Sequence, residues 1–211
     1  MDQDAYWDKI AWSKEFAHPF DHERFSAYVD KDAWILDLGC GYGRVLGQLH
    51  HLGYTHSIGL DTSREMIVRG KAQYPHLDLR VQEGPDIPFE DDTFAAMILF
   101  AVLTCVHRTE DQRYLLSEAY RVLSPGGVLY ISDYPLQEDA RCVERYQRCM
   151  PAYGIYGVFE TPDGGIFRHH DLTWVAELTT RFHSLDLFEI DVQTMNGNKA
   201  KAFQFLARKP S

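Results

Sequence analysis

The chain has 211 residues, 45% hydrophobic and 13% aromatic, enough for one domain that buries a core on both faces of a sheet. A formal charge of −10 without any Lys/Arg-rich run argues against a nucleic-acid partner, whose phosphates need a basic surface. The four cysteines (Cys40, Cys105, Cys142, Cys149) form no C-x-x-C pair, and neither an apolar leader nor an apolar run of ~18 residues is found. A cytoplasmic, reduced chain with no membrane contact is expected.

Taken in order, residues 4–17 place Tyr6, Trp7, Ile10, Ala11, Lys14 and Phe16 at helical spacing. A break at His18-Pro19 follows, and Phe20 to Val29 resumes the pattern. Trp34 to Leu38 is a short apolar run that reads as a buried strand. Gly39, Gly41 and Gly43 follow it, and a helical pattern runs from Tyr42 to Leu52. A strand, a glycine-rich turn and a helix N-terminus make a cofactor cradle. The spacing G-x-G-x-G, with Arg44 directly after, departs from the dinucleotide fingerprint. Asp37 beside the bend suits a cationic amino group better than a pyrophosphate. Ser57 to Asp61 reads as a second strand, and Asp61 lies roughly 20 residues beyond the turn, where an acid meets ribose hydroxyls. An amino acid, a carboxylate and a ribose together describe S-adenosyl-L-methionine. Thr62 follows directly, Ser63 is placed as the N-cap of the next helix, and Met66 is turned back toward the adenine.

Four stretches now stand in register across residues 33–133: Leu36-Asp-Leu-Gly-Cys-Gly-Tyr-Gly43, Gly59-Leu-Asp-Thr-Ser-Arg-Glu-Met66, Glu83-Gly-Pro-Asp-Ile-Pro-Phe89 with Asp92-Thr-Phe94, and Leu123-Ser-Pro-Gly-Gly127. In these the chain resembles the class I S-adenosylmethionine-dependent methyltransferases, of the group that includes small-molecule and quinone methyltransferases. The resemblance implies an α/β, Rossmann-like sheet of seven strands in the order 3-2-1-4-5-7-6, the last antiparallel, with helices on both faces. It implies one domain over residues 1–211, with residues 1–31 as lid helices and 134–171 as a helix-and-hairpin cap. Tyr6 and Trp7 then either touch the methionine portion of the cofactor or pack the lid onto the body. Glu83 is the acid placed at the adenine amino group, with Gly84 supplying backbone to the ring edge. Asp86 competes for that role, because the family's usual Gly-Asp pair is absent.

Residues 77–82 alternate as strand 3, and Phe94 to Phe100 is a nearly all-apolar central strand. Phe100 is assigned to the cofactor, and the segment up to His107 lies at the carboxyl edge where open α/β sheets bind ligands. Gln112 to Val122 is helical, and strand 5 runs from Val128 to Asp133. Glu138 to Met150 reads as a helix carrying Arg141, Arg145 and Arg148. Residues 157–168 read as a β-hairpin turning at Pro162-Asp-Gly-Gly165, and His169-His170-Asp171 lead into a helix. Leu187 to Thr194 and Ala202 to Arg208 close the sheet.

Methyl transfer is an in-line displacement that needs alignment and exclusion of water, with a base only for an acceptor that keeps its proton at neutral pH. The candidate bases are His169, His170, His107 and Asp133, the first two favoured because they leave the hairpin just before a helix. Each histidine has a structural alternative, and His18 and His22 read as cap or surface groups. Tyr134, Tyr153, Tyr156, Cys105 and Arg168 are the substrate-side candidates; the aromatics and arginines either enclose a small planar or anionic substrate or pack the hairpin. No zinc-like spacing exists, so no metal is assigned. The expected activity is methyl transfer to O, N or S of a small metabolite, with S-adenosyl-L-homocysteine as product, by a monomer or homodimer. A protein methyltransferase and a non-catalytic cofactor-binding subunit are the alternatives.

Overall fold

Ile35 and Leu36 point to opposite faces of the sheet, and each is fully buried. That follows from the two-residue period of a strand covered on both sides. In the computed structural model, which describes residues 3–211, strand β1 is Ile35–Leu38 and is buried at all four positions. Leu36 joins Met97, Leu99, Leu129 and Ile131 in one core, and Ile35 joins Ala96, Ile98, Val128 and Tyr130 in the other.

Around β1 stand β2 (Ser57–Asp61), β3 (Asp78–Val81), β4 (Phe94–Phe100) and β5 (Leu123–Asp133), all parallel. A separate two-stranded hairpin, β6 (Val158–Glu160) and β7 (Ile166–Arg168), interrupts the numbering. The sheet is completed by β8 (His183–Gln193) and β9 (Lys199–Arg208), and its order is β3-β2-β1-β4-β5-β9-β8. With the hairpin set aside this is the expected 3-2-1-4-5-7-6, and β9 runs antiparallel to both neighbours. Helices α2 (His22–Ser26), α3 (Arg44–His51) and α4 (Arg64–Gln73) cover one face. Helices α5 (Thr109–Val122) and α7 (Leu172–Leu178) cover the other. The crevice between β1 and β4, where strand order reverses, is where such sheets bind ligands.

Two segments lie over that crevice. Helix α6 (Ala140–Tyr153), capped by Asp139 and ended by Gly154 in the left-handed region (φ 68°), packs on the β6–β7 hairpin. Helix α1 (Gln3–Ile10) opens an N-terminal strap. The helix expected over 4–17 stops at Ile10, because the carbonyls beyond it have tertiary donors. The Arg69 guanidinium donates to Ala11 O (2.8 Å) and Lys14 O (2.7 Å) and pairs with Glu15 (2.5 Å). Phe16, placed on a helix by its spacing, instead stacks on Tyr42 with centroids 5.3 Å apart. The second expected helix shortens to α2, which Asp21 caps at its start and a turn bonded from Ala27 N and Val29 N to Glu23 O and Phe25 O closes. Residues 1 and 2 of the expected lid lie outside the described residues. No described helix is long and apolar enough to cross a membrane.

Candidate active site

The cradle is built where β1 ends. Gly39 and Gly41 take φ of +70° and +55°, and a Cβ on Gly39 would lie 2.6 Å from Val102 Cγ2. Only glycine allows both the turn and that approach. The Asp61 carboxylate fastens the turn to the end of β2, accepting from Gly41 N at 2.7 Å and Ser63 N at 2.9 Å. Burial pushes Asp61 up to about 6, against the pull of those two N–H groups. Ser63 caps α4, its Oγ accepting from Met66 N at 3.1 Å.

Asp37 is 2% exposed, lines the cavity, and its Oδ2 has no hydrogen-bond partner. Burial raises its carboxyl to about 8, opposed by Arg44 and reinforced by the charge of Asp61. A buried carboxylate oxygen without a partner is costly, and a cation seated beside it removes the cost. An α-ammonium group is such a cation. The residues present therefore fit an amino-acid-bearing cofactor.

The cavity above the cradle measures about 1440 Å³. Asp37, Gly39, Gly41, Asp61, Thr62, Met66, Gly84 and Phe100 line one end, under Trp7 and Phe16 of the strap. Cys105, Tyr134 and His169 line it toward the cap, with Arg141, Arg145 and Phe159.

Several expected site residues lie elsewhere. Gly43 caps α3 and packs on Leu79. Tyr6 is 1% exposed, set edge-on to Phe167, its hydroxyl 3.3 Å from Asp163. Glu83 is exposed and pairs with Arg64 at 2.7 Å, while Asp86 accepts from the Tyr114 hydroxyl. Gln82, Gly84 and Pro85 line the cavity there instead. Tyr153 donates to Glu160, Tyr156 is 43% exposed against Tyr146, and His107 packs edge-on to Tyr153. Arg168 is buried under Trp174 and donates to His107 O and Thr109 Oγ1.

Asp133 and His170 are both buried behind the cavity wall. Asp133 accepts from Thr104 N (3.1 Å) and Tyr134 N (2.8 Å), and burial raises it to about 7. Gln112 Oε1 accepts from the Trp174 indole at 2.6 Å, which orients the amide so that its nitrogen donates to His170 Nε2 at 2.8 Å. His170 Nδ1 then carries the proton, toward Tyr134 O at 3.3 Å. Burial lowers His170 to about 3, so the 3.9 Å approach to Asp133 is not an ion pair near neutral pH. These are holding contacts between β5, α5 and the hairpin.

His169 is the histidine of the pair that faces the cavity. Its ring stacks on Tyr134 (centroids 5.3 Å apart) and its Nδ1 lies 2.5 Å from the Tyr146 hydroxyl. The Tyr146 oxygen accepts from Gln137 N at 3.2 Å and also meets the Arg145 guanidinium, so two donors face its lone pairs and its proton goes to His169. His169 is then an Nε2–H tautomer, and burial, then the charges of Arg145 and Arg141, hold it neutral.

His18 is the residue that sequence reasoning missed. Read as a cap or surface group, it is 6% exposed, lines the cavity, and sets Nε2 2.6 Å from Ser132 Oγ. Burial lowers it to about 4, and its Nδ1 has no partner. The His18-Pro19 break was the only available signal, since it takes the chain off a helix just there.

A doubly wound sheet with this strand order, a glycine turn after β1 and acids at the ends of β1 and β2 is the arrangement expected of a class I S-adenosylmethionine-dependent methyltransferase. Residues 36–131 match the family described as a methyltransferase domain. A demethylmenaquinone methyltransferase of Streptomyces avermitilis is 34% identical over 137 residues, 63% of this chain and 57% of that protein. The chain spans about half the length of the curated relatives it matches. Among solved structures, a SAM-dependent methyltransferase from Methanosarcina mazei superposes with a TM-score of 0.85 at 24% identity, covering 92% of this chain and 99% of that one. A 1,6-didemethyltoxoflavin-N1-methyltransferase of Burkholderia thailandensis, with S-adenosylhomocysteine bound, shares the fold at a TM-score of 0.64 and 15% identity, covering 90% and 76%.

Proposed function

We propose that the protein transfers a methyl group from S-adenosylmethionine to an oxygen or sulfur atom of a small metabolite held under the strap and cap. The observation that carries this is the unpartnered, buried Asp37 carboxylate at the floor of the cavity, beside the glycine turn. When bound, the cofactor supplies an electrophilic methyl on a sulfonium whose thioether leaves without an acid. In this reading Asp37 receives the ammonium group. Each Asp61 oxygen accepts one backbone N–H and keeps a further acceptor site for a ribose hydroxyl. Met66, Gln82 and Gly84, which line the same cavity, would hold the adenine, and Thr62 and Phe100 the nucleoside.

On the acceptor side, the chain's contribution is alignment and exclusion of water. Well-oriented pairs gain about 7–11 kcal/mol over free encounter. His169 offers an Nε2–H donor, which leaves an attacking lone pair free on oxygen or sulfur but occupies the single lone pair of an amine. Tyr146 acts as a positioning residue through His169. A base role for His169 requires the other tautomer, with Nδ1–H donating to Tyr146 and the tyrosine hydroxyl turned away. The cavity is a deep cleft, partly open to solvent, and its cover by α1 and the β6–β7 hairpin favours a metabolite over a protein side chain.

Calorimetric titration with S-adenosylmethionine, followed by mass spectrometry of a metabolite extract incubated with methyl-labelled cofactor, tests the reading. A labelled small product supports it, and absence of cofactor binding overturns it.

A further inference from the structure

We propose that the acceptor carries a carboxylate, received by the guanidinium of Arg145 at the cap end of the cavity. This rests on the methyltransferase reading and adds the chemical class of the substrate. Arg141, Arg145 and Arg148 recur at helical spacing on α6, and all three line the cavity. Arg141 has Asp139 within 3.6 Å. Arg145 has no carboxylate partner among the described residues, and its Nε is buried without a hydrogen bond. Its guanidinium carbon lies 3.4 Å from the centroid of the Phe159 ring. Stacking of that kind fixes the plane of the fork, which also meets the Tyr146 hydroxyl, and leaves its remaining N–H groups for a ligand.

The acids of the same wall are largely engaged. Glu160 accepts from Tyr153 at 2.5 Å and Asp163 from Tyr6 at 3.3 Å. Glu144, four residues before Arg148, also lines the cavity and makes no ion pair among the described residues. The adjacent His169 is neutral and presents a donor, so the cap end offers N–H groups beside three arginines whose charge Glu144, Glu160 and Asp163 balance across the wall as a whole. The opposite end holds Asp37 and Asp61. One cavity thus has an acidic end for an ammonium group and, at the other end, the Arg145 guanidinium, without a carboxylate partner among the described residues, for an anion. A planar fork on an aromatic ring matches the two coplanar oxygens of a carboxylate. A phosphate dianion would meet Glu144, Glu160 and Asp163 at the same wall.

The test uses the full chain, with and without S-adenosylhomocysteine, and a panel of small aromatic and aliphatic carboxylates paired with their carboxamides, benzoate and benzamide among them. Phenyl phosphate supplies the other anion. Binding is read by calorimetry and melting temperature. We expect at least one acid to bind wild type roughly 10-fold or more tightly than its amide, as a charge-assisted fork should. The preference disappears in Arg145→Met and is reduced in Arg145→Lys. Wild type that prefers no acid over its amide overturns the proposal, as does a preference that survives in a folded Arg145→Met protein. Phenyl phosphate outcompeting every carboxylate also overturns it. Loss of S-adenosylhomocysteine binding is a separate result: it removes the cofactor reading, while the acid–amide comparison on the unloaded protein still decides the anion site.

Discussion

The Tyr146 hydroxyl and His169 Nδ1 are 2.5 Å apart, and with Gln137 N on the tyrosine oxygen they fix which face of the imidazole is a donor. Tyr146→Phe removes this bond and leaves the Gln137 N–H buried and unpaired. A stability loss of about 1–3 kcal/mol is expected. Turnover falls while cofactor affinity is unchanged, and His169→Ala lowers turnover further. Urea unfolding and calorimetry separate the two effects; unaltered turnover in both variants would remove His169 from the acceptor side.

Cofactor binding should release a proton from Asp37. Its carboxyl, raised to about 8 by burial, is mostly protonated near neutral pH in the free protein. An ammonium group beside it lowers that value, so binding tightens as pH rises toward about 8 and weakens again once the ligand's own ammonium group loses its proton. Calorimetry in two buffers of different ionisation enthalpy measures the release. Asp37→Asn should bind more weakly, with no proton released and little pH dependence; an undiminished release in that variant assigns the proton elsewhere.

Gly41→Ala and Gly84→Ala make a controlled pair. Both glycines have positive φ, +55° and +80°, so each substitution costs about 1–2 kcal/mol in backbone strain. A Cβ at Gly41 also meets Phe16 Cε2 at 2.9 Å, whereas at Gly84 nothing lies within 4 Å. Gly41→Ala should therefore displace the strap, lowering both melting temperature and cofactor affinity more than Gly84→Ala. Equal losses would mean that the strap gives way freely at Phe16.

Arg69 holds the strap from beneath, its guanidinium 3.8 Å above the Tyr42 ring and bonded to Ala11 O, Lys14 O and Glu15. Arg69→Met should speed hydrogen exchange in residues 11–17 and weaken cofactor binding, with the sheet core unchanged. Unchanged exchange in that segment would show that the other strap contacts suffice.

The neutral His170 makes stability depend on pH. Its native value of about 3 lies below the ordinary ~6.5, so below that pH the unfolded chain binds a proton the folded chain does not. Its share of stability is fully present above ~6.5 and is lost as pH falls toward 3. Asp133, raised to about 7, works in the opposite sense, losing stability as pH rises from ~4. Unfolding free energy should thus fall more steeply from pH ~6.5 to ~5 in wild type than in His170→Gln. Parallel slopes would mean that His170 is solvated in solution.

The sheet, the cradle and the acids Asp37 and Asp61 were legible because their cues are local. Apolar runs of strand length, alternate glycines and an acid at a fixed interval are all properties of adjacent residues. The division between His169 and His170 was not legible. Neighbours in a strand-like segment face opposite ways, and only the packing of Tyr134, Tyr146 and Gln112 decides which faces the cavity. Glu83 illustrates the same limit from the other side: its position in the chain is right for an adenine contact, yet its side chain reaches Arg64 at the surface.

By itself the sequence determined the doubly wound class, the crevice at the end of β1 and the kind of cofactor placed there, since these follow from periodicity and backbone freedom. The tertiary structure alone decided where α1 ends, that His18 is buried against a residue 114 positions away, and that Gln3 reaches the hairpin across 163 residues. Those contacts depend on how finished elements pack. Their energies come from burial and from donors met only after folding, which no local pattern records.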